Sequence, residues 1–124
     1  MKFLCLGYLN ASLLDARPQE EIEAALLECS PHLERLHKGG EVMIDAGVSP
    51  EAKCLRRANG KVEVTDGLYL GTKERIGSVF LIEAQDMEEA VRIASMHPSV
   101  QIDAGEQYEW GIEIRPIHYF WKRE

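Results

Sequence analysis

The sequence predicts an α+β fold in which strand, helix and strand follow one another twice. Residues 2–9 and 77–84 are nearly continuous apolar runs, as expected for strands buried on both faces. An amphipathic helical pattern follows the first run, and a capped helical segment follows the second. Right-handed crossovers would join both units into one sheet with both helices on one face, a ferredoxin-like βαββαβ arrangement with an inserted β-hairpin.

The first helix is predicted to begin at Pro18, because proline is favoured in a first turn, and to end at Gly39 and Gly40. Its apolar side chains recur at helical spacing and would form one stripe facing the sheet. The residues of this stripe are Ile22, Leu26, Cys29, Leu33 and Leu36. Pro31 lacks a backbone donor, so we expect a kink or a split into two helices there.

A strand is predicted next, over residues 41–48, followed by a hairpin. In the strand, apolar residues alternate with Met43 and Asp45, as expected for a strand with one buried face. The hairpin is predicted over residues 52–65, because extended segments flank Asn59-Gly60. This pair is typical of a two-residue type I′ turn, in which both central residues have positive φ.

The second helix is predicted from Asp86 to about Met96, since Asp86 with Glu89 three residues later resembles a capping pair. His97-Pro98 would end it, and a polar loop would follow around residues 103–106. Residues 110–114 and 117–121 are predicted as the last extended segments.

Composition and length narrow the class of protein. The chain has 124 residues, fitting a single domain over residues 1–124, and a formal net charge of −7. An excess of negative charge opposes binding to nucleic-acid backbones and anionic membranes, so neither is an expected partner. The three cysteines lie far apart, which indicates reduced thiols and a cytoplasmic location. With both helices on one face, the other sheet face would be covered by a second copy in a homodimer.

One segment combines a strand end, a turn and a polar cluster. It is Thr65-Asp66-Gly67-Leu68-Tyr69-Leu70-Gly71-Thr72-Lys73-Glu74, followed by the apolar strand at 77–84. This segment resembles the signature of the DGPF family, a branch of the YCII-related domain superfamily. The resemblance extends to residues 1–6, 86–90, 97–98 and 112–116, and so spans nearly the whole chain. Leu68 and Tyr69 replace the Pro and Phe of the family name, and Gly71 replaces an acid.

The resemblance implies a dimeric α+β barrel with a His and Asp pair in acid–base chemistry. Asp66 and His97 are the candidate catalytic pair, because a strand end and a helix end could bring them together across the sheet. The structural alternative is that Asp66 is a turn residue and His97 a helix-end residue favoured by the dipole. Thr72, Lys73 and Tyr8 are candidate substrate-binding residues, with a solvated loop and aromatic packing as the alternatives.

No motif in the sequence indicates a metal or a cofactor. Cys29 and His32 are three apart on a helix, but Pro31 lies between them and no further ligand pair follows. Neither a glycine-rich phosphate loop nor a serine nucleophile elbow is present in the sequence. Three functional classes therefore remain: a small enzyme with a small-molecule cleft, a non-catalytic ligand-binding or regulatory dimer, and a protein-interaction module linked to transcription initiation, as the resemblance suggests.

Overall fold

The architecture is that of a four-stranded antiparallel sheet with helices on one face. A computed structural model describes residues 1–67 and 74–124. In chain order the elements are β1 Lys2–Asn10, α1 Ala11–Asp15, α2 Gln19–Lys38, β2 Val42–Gly47, β3 Lys53–Ala58, β4 Lys61–Asp66, β5 Glu74–Glu83, α3 Met87–Ala94, a 3₁₀ helix Pro98–Val100, α4 Asp103–Gln107 and β6 Gly111–Pro116.

The strand order of the main sheet is β2-β5-β1-β6 within the described residues. β1 pairs antiparallel with both β5 and β6, and β2 pairs antiparallel with β5. With the hairpin left out, this order is that of the ferredoxin-like βαββαβ arrangement, in which two crossovers interleave the strands. The α+β, ferredoxin-like fold predicted from the sequence is thereby confirmed.

The hydrophobic core lies between this sheet and the helices. Alternate residues of β1 and β5 face it, because side chains along a strand point to opposite sides in turn. The core side chains are Phe3, Cys5, Leu36, Phe80, Ile82, Ala84, Ala90, Ile93 and Ala94. Leu4 and Leu81, which are paired in the register, lie on the opposite face of the sheet. The core thus fixes the helices over one side of the sheet.

A β-bulge in β2 reverses the alternation that the sequence predicts for this strand. Val42 pairs with Ile82, but Ile44, two residues on, pairs with Leu81, the very next partner on β5. Met43 is therefore the extra residue, and Asp45 comes opposite Phe80, which faces the helices. The simple alternation of residues 42, 44 and 46 on one face was wrong, and Asp45 is turned toward the helix side.

The hairpin of β3 and β4 forms a separate two-stranded arm. Asn59 and Gly60 have φ values of 52° and 76°, so the predicted type I′ turn is confirmed. The apolar side chains of Leu55, Val62 and Val64 are exposed on this arm. The arm therefore presents unburied apolar surface within the described part of the chain.

Other sequence predictions required correction. Helix α2 continues through Pro31 to Lys38, because the buried residues Ala25 and Leu36 anchor the helix on both sides of the proline. The segment predicted as a polar loop contains α4, and the chain after Pro116 has no strand assignment. A backbone hydrogen bond from Ile117 N–H to the Lys2 carbonyl prolongs the β6 pairing there.

The capping pair predicted for the second helix is confirmed. Asp86 accepts a hydrogen bond from the Glu89 backbone N–H at 2.8 Å, and the Glu89 carboxylate accepts one from the Gln85 N–H at 3.1 Å. In the described ranges 1–67 and 74–124, none of the helices is long and apolar enough to cross a membrane.

Candidate functional site

A cavity of about 370 Å³ lies between α2, the 3₁₀ helix and the sheet. Its floor is formed by sheet residues that include Gly7, Gly47 and Gly77. Its roof comes from the α2 stripe that the sequence predicts to face the sheet, through Leu26, Cys29 and Leu33. His97, Pro98, Ser99 and Trp110 close one side. The volume suits a small organic molecule, and the walls are mostly apolar.

The glycine floor explains why space remains between the two layers. A Cβ at Gly7 would collide with the Ser78 hydroxyl, so β1 and β5 approach closely at this point. Gly77 is the extra residue of a second bulge, because Gly7 pairs with Ser78 whereas Tyr8 pairs with Ile76. Side chains are absent from the floor at all three glycines, but among these described residues the space is open only beside Gly47, because Ser78 and Leu9 fill it beside Gly7 and Gly77.

His97 is a buried histidine in the wall of this cavity. Only 6% of its surface is exposed, and its ring stacks on the Phe80 ring with centroids 4.9 Å apart. Its Nδ1 accepts a hydrogen bond from the Ser99 backbone N–H at 3.1 Å. Because Nδ1 is an acceptor, the proton of the neutral imidazole is on Nε2. Nε2–H is therefore the group that His97 can offer to a ligand.

The pKa of His97 is lowered from its ordinary value. Burial is the main cause, since removal from water disfavours the charged imidazolium. The negative charge of Asp45 acts in the opposite direction and raises the pKa, while His37 lowers it. Asp45 and His37 therefore lie close enough to His97 to influence it, and the lowered pKa favours the neutral form of His97.

Asp45 is the carboxylate of the cavity wall. The bulge in β2 places Asp45 opposite Phe80. The His97 ring stacks on the ring of the same Phe80. The Asp45 Oδ2 lies 2.7 Å from Nε2 of His37, near the end of α2. An ionised carboxylate can only accept, so His37 donates through Nε2–H. The Asp45 side chain is 20% exposed and that of His37 is 47% exposed. His37 is therefore on the solvent side of the pair, and Asp45 is on the cavity side.

Trp110 also lines this wall. Its indole Nε1 is buried and has no hydrogen-bond partner within the described residues. Its ring is tilted against Tyr108, with centroids 5.9 Å apart. A buried donor without a partner costs about 1–3 kcal/mol.

The residues that the sequence nominates for the site have different locations. His97 lies in the cavity wall, whereas Asp66 lies on the arm, pairs with Lys53 at 2.7 Å and has a side chain that is 85% exposed. Tyr8 also contributes to the wall, and its hydroxyl donates to Glu113 at 3.3 Å. Thr72 and Lys73 lie outside the described residues. The carboxylate that the structure brings near His97 is Asp45.

Sequence reasoning missed Asp45, His37 and Trp110. The sequence did contain a partial indication that His37 and Asp45 are close. His37 lies at the end of the predicted helix, and Asp45 lies in the strand that follows it. Simple alternation in β2 groups Asp45 with Met43, and the bulge is not visible in the sequence. Among the described residues, no group of three or more His, Cys, Asp or Glu side chains could hold a metal ion.

The chain belongs to the YCII-related domain family, which matches residues 1–110. A comparison with curated proteins found no match. Among solved structures, the chain is similar to 5-chloro-2-hydroxyhydroquinone dehydrochlorinase (TftG) from Burkholderia phenoliruptrix AC1100 in complex with 2,5-dihydroxybenzoquinone. The identity is 15% and the TM-score 0.49, over 100% of this chain and 96% of that chain. The family assignment comes from the match over residues 1–110.

Proposed function

We propose that this protein binds a compact, largely apolar molecule in the cavity and transfers a proton on it. The observation that carries this proposal is the presence of Asp45 and His97 in one cavity wall with different protonation roles. Asp45 presents a carboxylate, which accepts protons. His97 presents a neutral Nε2–H, which donates a hydrogen bond because Nδ1 is held by the Ser99 N–H.

Such a pair fits proton abstraction next to a carbonyl group. The C–H bond breaks, its proton passes to the Asp45 carboxylate, and its electron pair forms the C=C bond of an enolate. Negative charge develops on the ligand oxygen, where Nε2–H of His97 stabilises it. The proton returns to carbon in the reverse step, so the cycle needs no oxidant or reductant.

His37 acts as a positioning residue in this scheme. Its Nε2 lies 2.7 Å from the Asp45 Oδ2 on the solvent side, and this contact orients the carboxylate. The apolar walls exclude water from the ligand, and electrostatic interactions are stronger in such a site.

Deuterium exchange tests this proposal without knowledge of the natural substrate. Wild-type protein in deuterium oxide should catalyse exchange of the protons next to the carbonyl of 1-indanone, followed by proton NMR. Asp45→Asn and His97→Gln should lose most of this exchange, because removal of a general base costs about 10²–10⁴-fold in rate and removal of a donor to the developing oxyanion about 10²–10³-fold.

Asp66→Asn is the matched control, because the same chemical change falls on a carboxylate of the arm. It should leave the exchange rate unchanged. The proposal is wrong if wild-type protein gives no exchange above the buffer rate, or if Asp45→Asn retains the wild-type rate.

A homodimer is part of the proposal. Ile44 and the arm residues Leu55, Val62 and Val64 are between 58% and 64% exposed. Ile44 lies on the sheet face opposite the helices, since it pairs with Leu81. Exposed apolar patches of this kind are unfavourable in water, and a second copy of the chain would bury them.

A further inference from the structure

Three glycines contribute to the cavity floor, and they differ in what a side chain would meet. At Gly7 and Gly77, an added Cβ would clash within the protein, with the Ser78 hydroxyl in the first case and with Leu9 Cδ2 at 2.5 Å in the second. The space beside these two glycines is therefore already occupied, by side-chain ends of Ser78 and Leu9. Gly47 is different, because its Cβ would meet only the Gly77 carbonyl oxygen at 3.9 Å, an ordinary van der Waals distance.

Backbone geometry does not explain Gly47 either. Gly47 is not among the residues with positive φ in the described part of the chain, so other residues could adopt its conformation. It is the last residue of β2 and pairs with Ser78 in regular register. Glycine within a strand weakens the strand, because it has no side chain to pack and loses more entropy on folding. Its place in the cavity floor is therefore the explanation that remains.

A side chain at position 47 would fall beside the catalytic carboxylate. Asp45 and Gly47 are two residues apart on β2 and both contribute to the cavity. Since residues i and i+2 of a strand point to the same face, a side chain at 47 would project into the same space as Asp45. Gly47 is exposed, so this space lies at the open edge of the cavity.

We propose that Gly47 is the specificity-determining residue that sets the size of the ligand. The ligand class is a single-ring apolar compound with a hydroxyl or carbonyl oxygen near His97 and a substituent that passes over Gly47. This inference rests on the proposed function, because it assumes that the cavity is the ligand site. Larger residues at 47 would exclude the substituent while leaving room for the ring.

Size-graded phenols test this inference directly. Dissociation constants for para-methylphenol, para-propylphenol and para-pentylphenol can be measured by calorimetric titration of wild-type protein, Gly47→Ala and Gly47→Val. We expect Gly47→Val to weaken the binding of para-pentylphenol by roughly ten-fold or more relative to that of para-methylphenol. Pocket contacts of a methylene or two change affinity by such factors. Gly47→Ala should shift the preference in the same direction by less, which covers the case in which the valine variant fails to fold.

Gly111→Ala is the matched control. It also lies in a strand, and its Cβ would meet nothing within 4 Å, but it is not among the cavity residues. It should keep the wild-type preference among the three phenols. An unchanged preference in both Gly47 variants overturns this inference alone. Wild-type protein that binds none of the phenols also overturns this inference, whereas the proposed function is judged by the exchange of 1-indanone.

Discussion

The imidazole of His97 stacks on the phenyl ring of Phe80, with centroids 4.9 Å apart and planes 5° from parallel. Phe80 is fully buried in the core and lies opposite Asp45 across the β2–β5 pairing. Phe80 therefore contacts both parts of the site: its ring packs against His97, and its backbone pairs with Asp45. The site is built directly on the hydrophobic core.

Phe80→Ala should destabilise the protein by about 3–5 kcal/mol, because truncation of a buried phenylalanine removes apolar contacts and leaves a cavity. Urea unfolding followed by circular dichroism measures this loss. Phe120→Ala is the control, since Phe120 is 42% exposed and contacts Lys2 through its ring. Phe120→Ala should lower the free energy of unfolding by about 1 kcal/mol or less. Equal losses in the two variants would contradict the central place of Phe80.

Stability should fall as the pH is lowered below about 6.5. The pKa of His97 is lower in the folded chain than in the unfolded chain, mainly through burial. In the interval between these two pKa values the unfolded state binds more protons, so acid favours unfolding. The contribution of one such group is at most about 1.4 kcal/mol per pH unit.

Urea unfolding of wild-type protein and His97→Gln at several pH values isolates this contribution. The glutamine variant should lose less stability than the wild type between about pH 7 and pH 5, because its amide does not titrate. His118→Gln, at an exposed position, should retain the wild-type pH dependence. Parallel pH profiles for wild type and His97→Gln would show that His97 is not held neutral by burial.

The three cysteines should differ in their reaction with iodoacetamide. Cys5 is fully buried, and burial raises the pKa of its thiol to about 11. The thiolate is the reactive form, so Cys5 should be labelled only after unfolding. Cys54, in the arm, should be labelled faster than Cys5 in native protein. Peptide mass spectrometry with and without urea measures both, and native labelling of Cys5 at the rate of Cys54 would contradict its placement in the core.

Ile44→Asp should convert a dimer into a monomer. The wild type is expected at twice the chain mass of 14.0 kDa in light scattering. An aspartate at position 44 would place a charge in the buried interface, which is strongly unfavourable. Leu27→Asp is the control, since Leu27 is 75% exposed on α2, away from the sheet face proposed for the interface. A wild-type mass of one chain at micromolar concentration would exclude the dimer.

Much of the fold could be predicted because its signals are local. The Asn59-Gly60 turn and the Asp86 cap depend on a few neighbouring residues, and both are present as predicted. The order of strands and helices then restricts the topology through the handedness of crossovers. At Pro31 a local rule predicted a kink or a split into two helices; the split is wrong, because packing on both sides keeps α2 continuous.

The candidate site could be predicted only in part, because it depends on register. His97 was identified from its position after a helix, and it does lie in the cavity wall. Its carboxylate neighbour could not be identified, since one extra residue in β2 decides which face Asp45 occupies. Asp66 lies at a strand end as expected, but that strand belongs to the arm and not to the main sheet.

The protonation state of His97 tests the central claim most directly. Long-range proton–nitrogen NMR correlation distinguishes the two neutral tautomers of histidine from the imidazolium. We expect His97 to be neutral with its proton on Nε2 at about pH 7, because Nδ1 accepts the Ser99 N–H and burial lowers the pKa. We further expect its Nε2 signal to shift when 1-indanone is added. An imidazolium, a proton on Nδ1, or an Nε2 signal insensitive to 1-indanone would contradict the account.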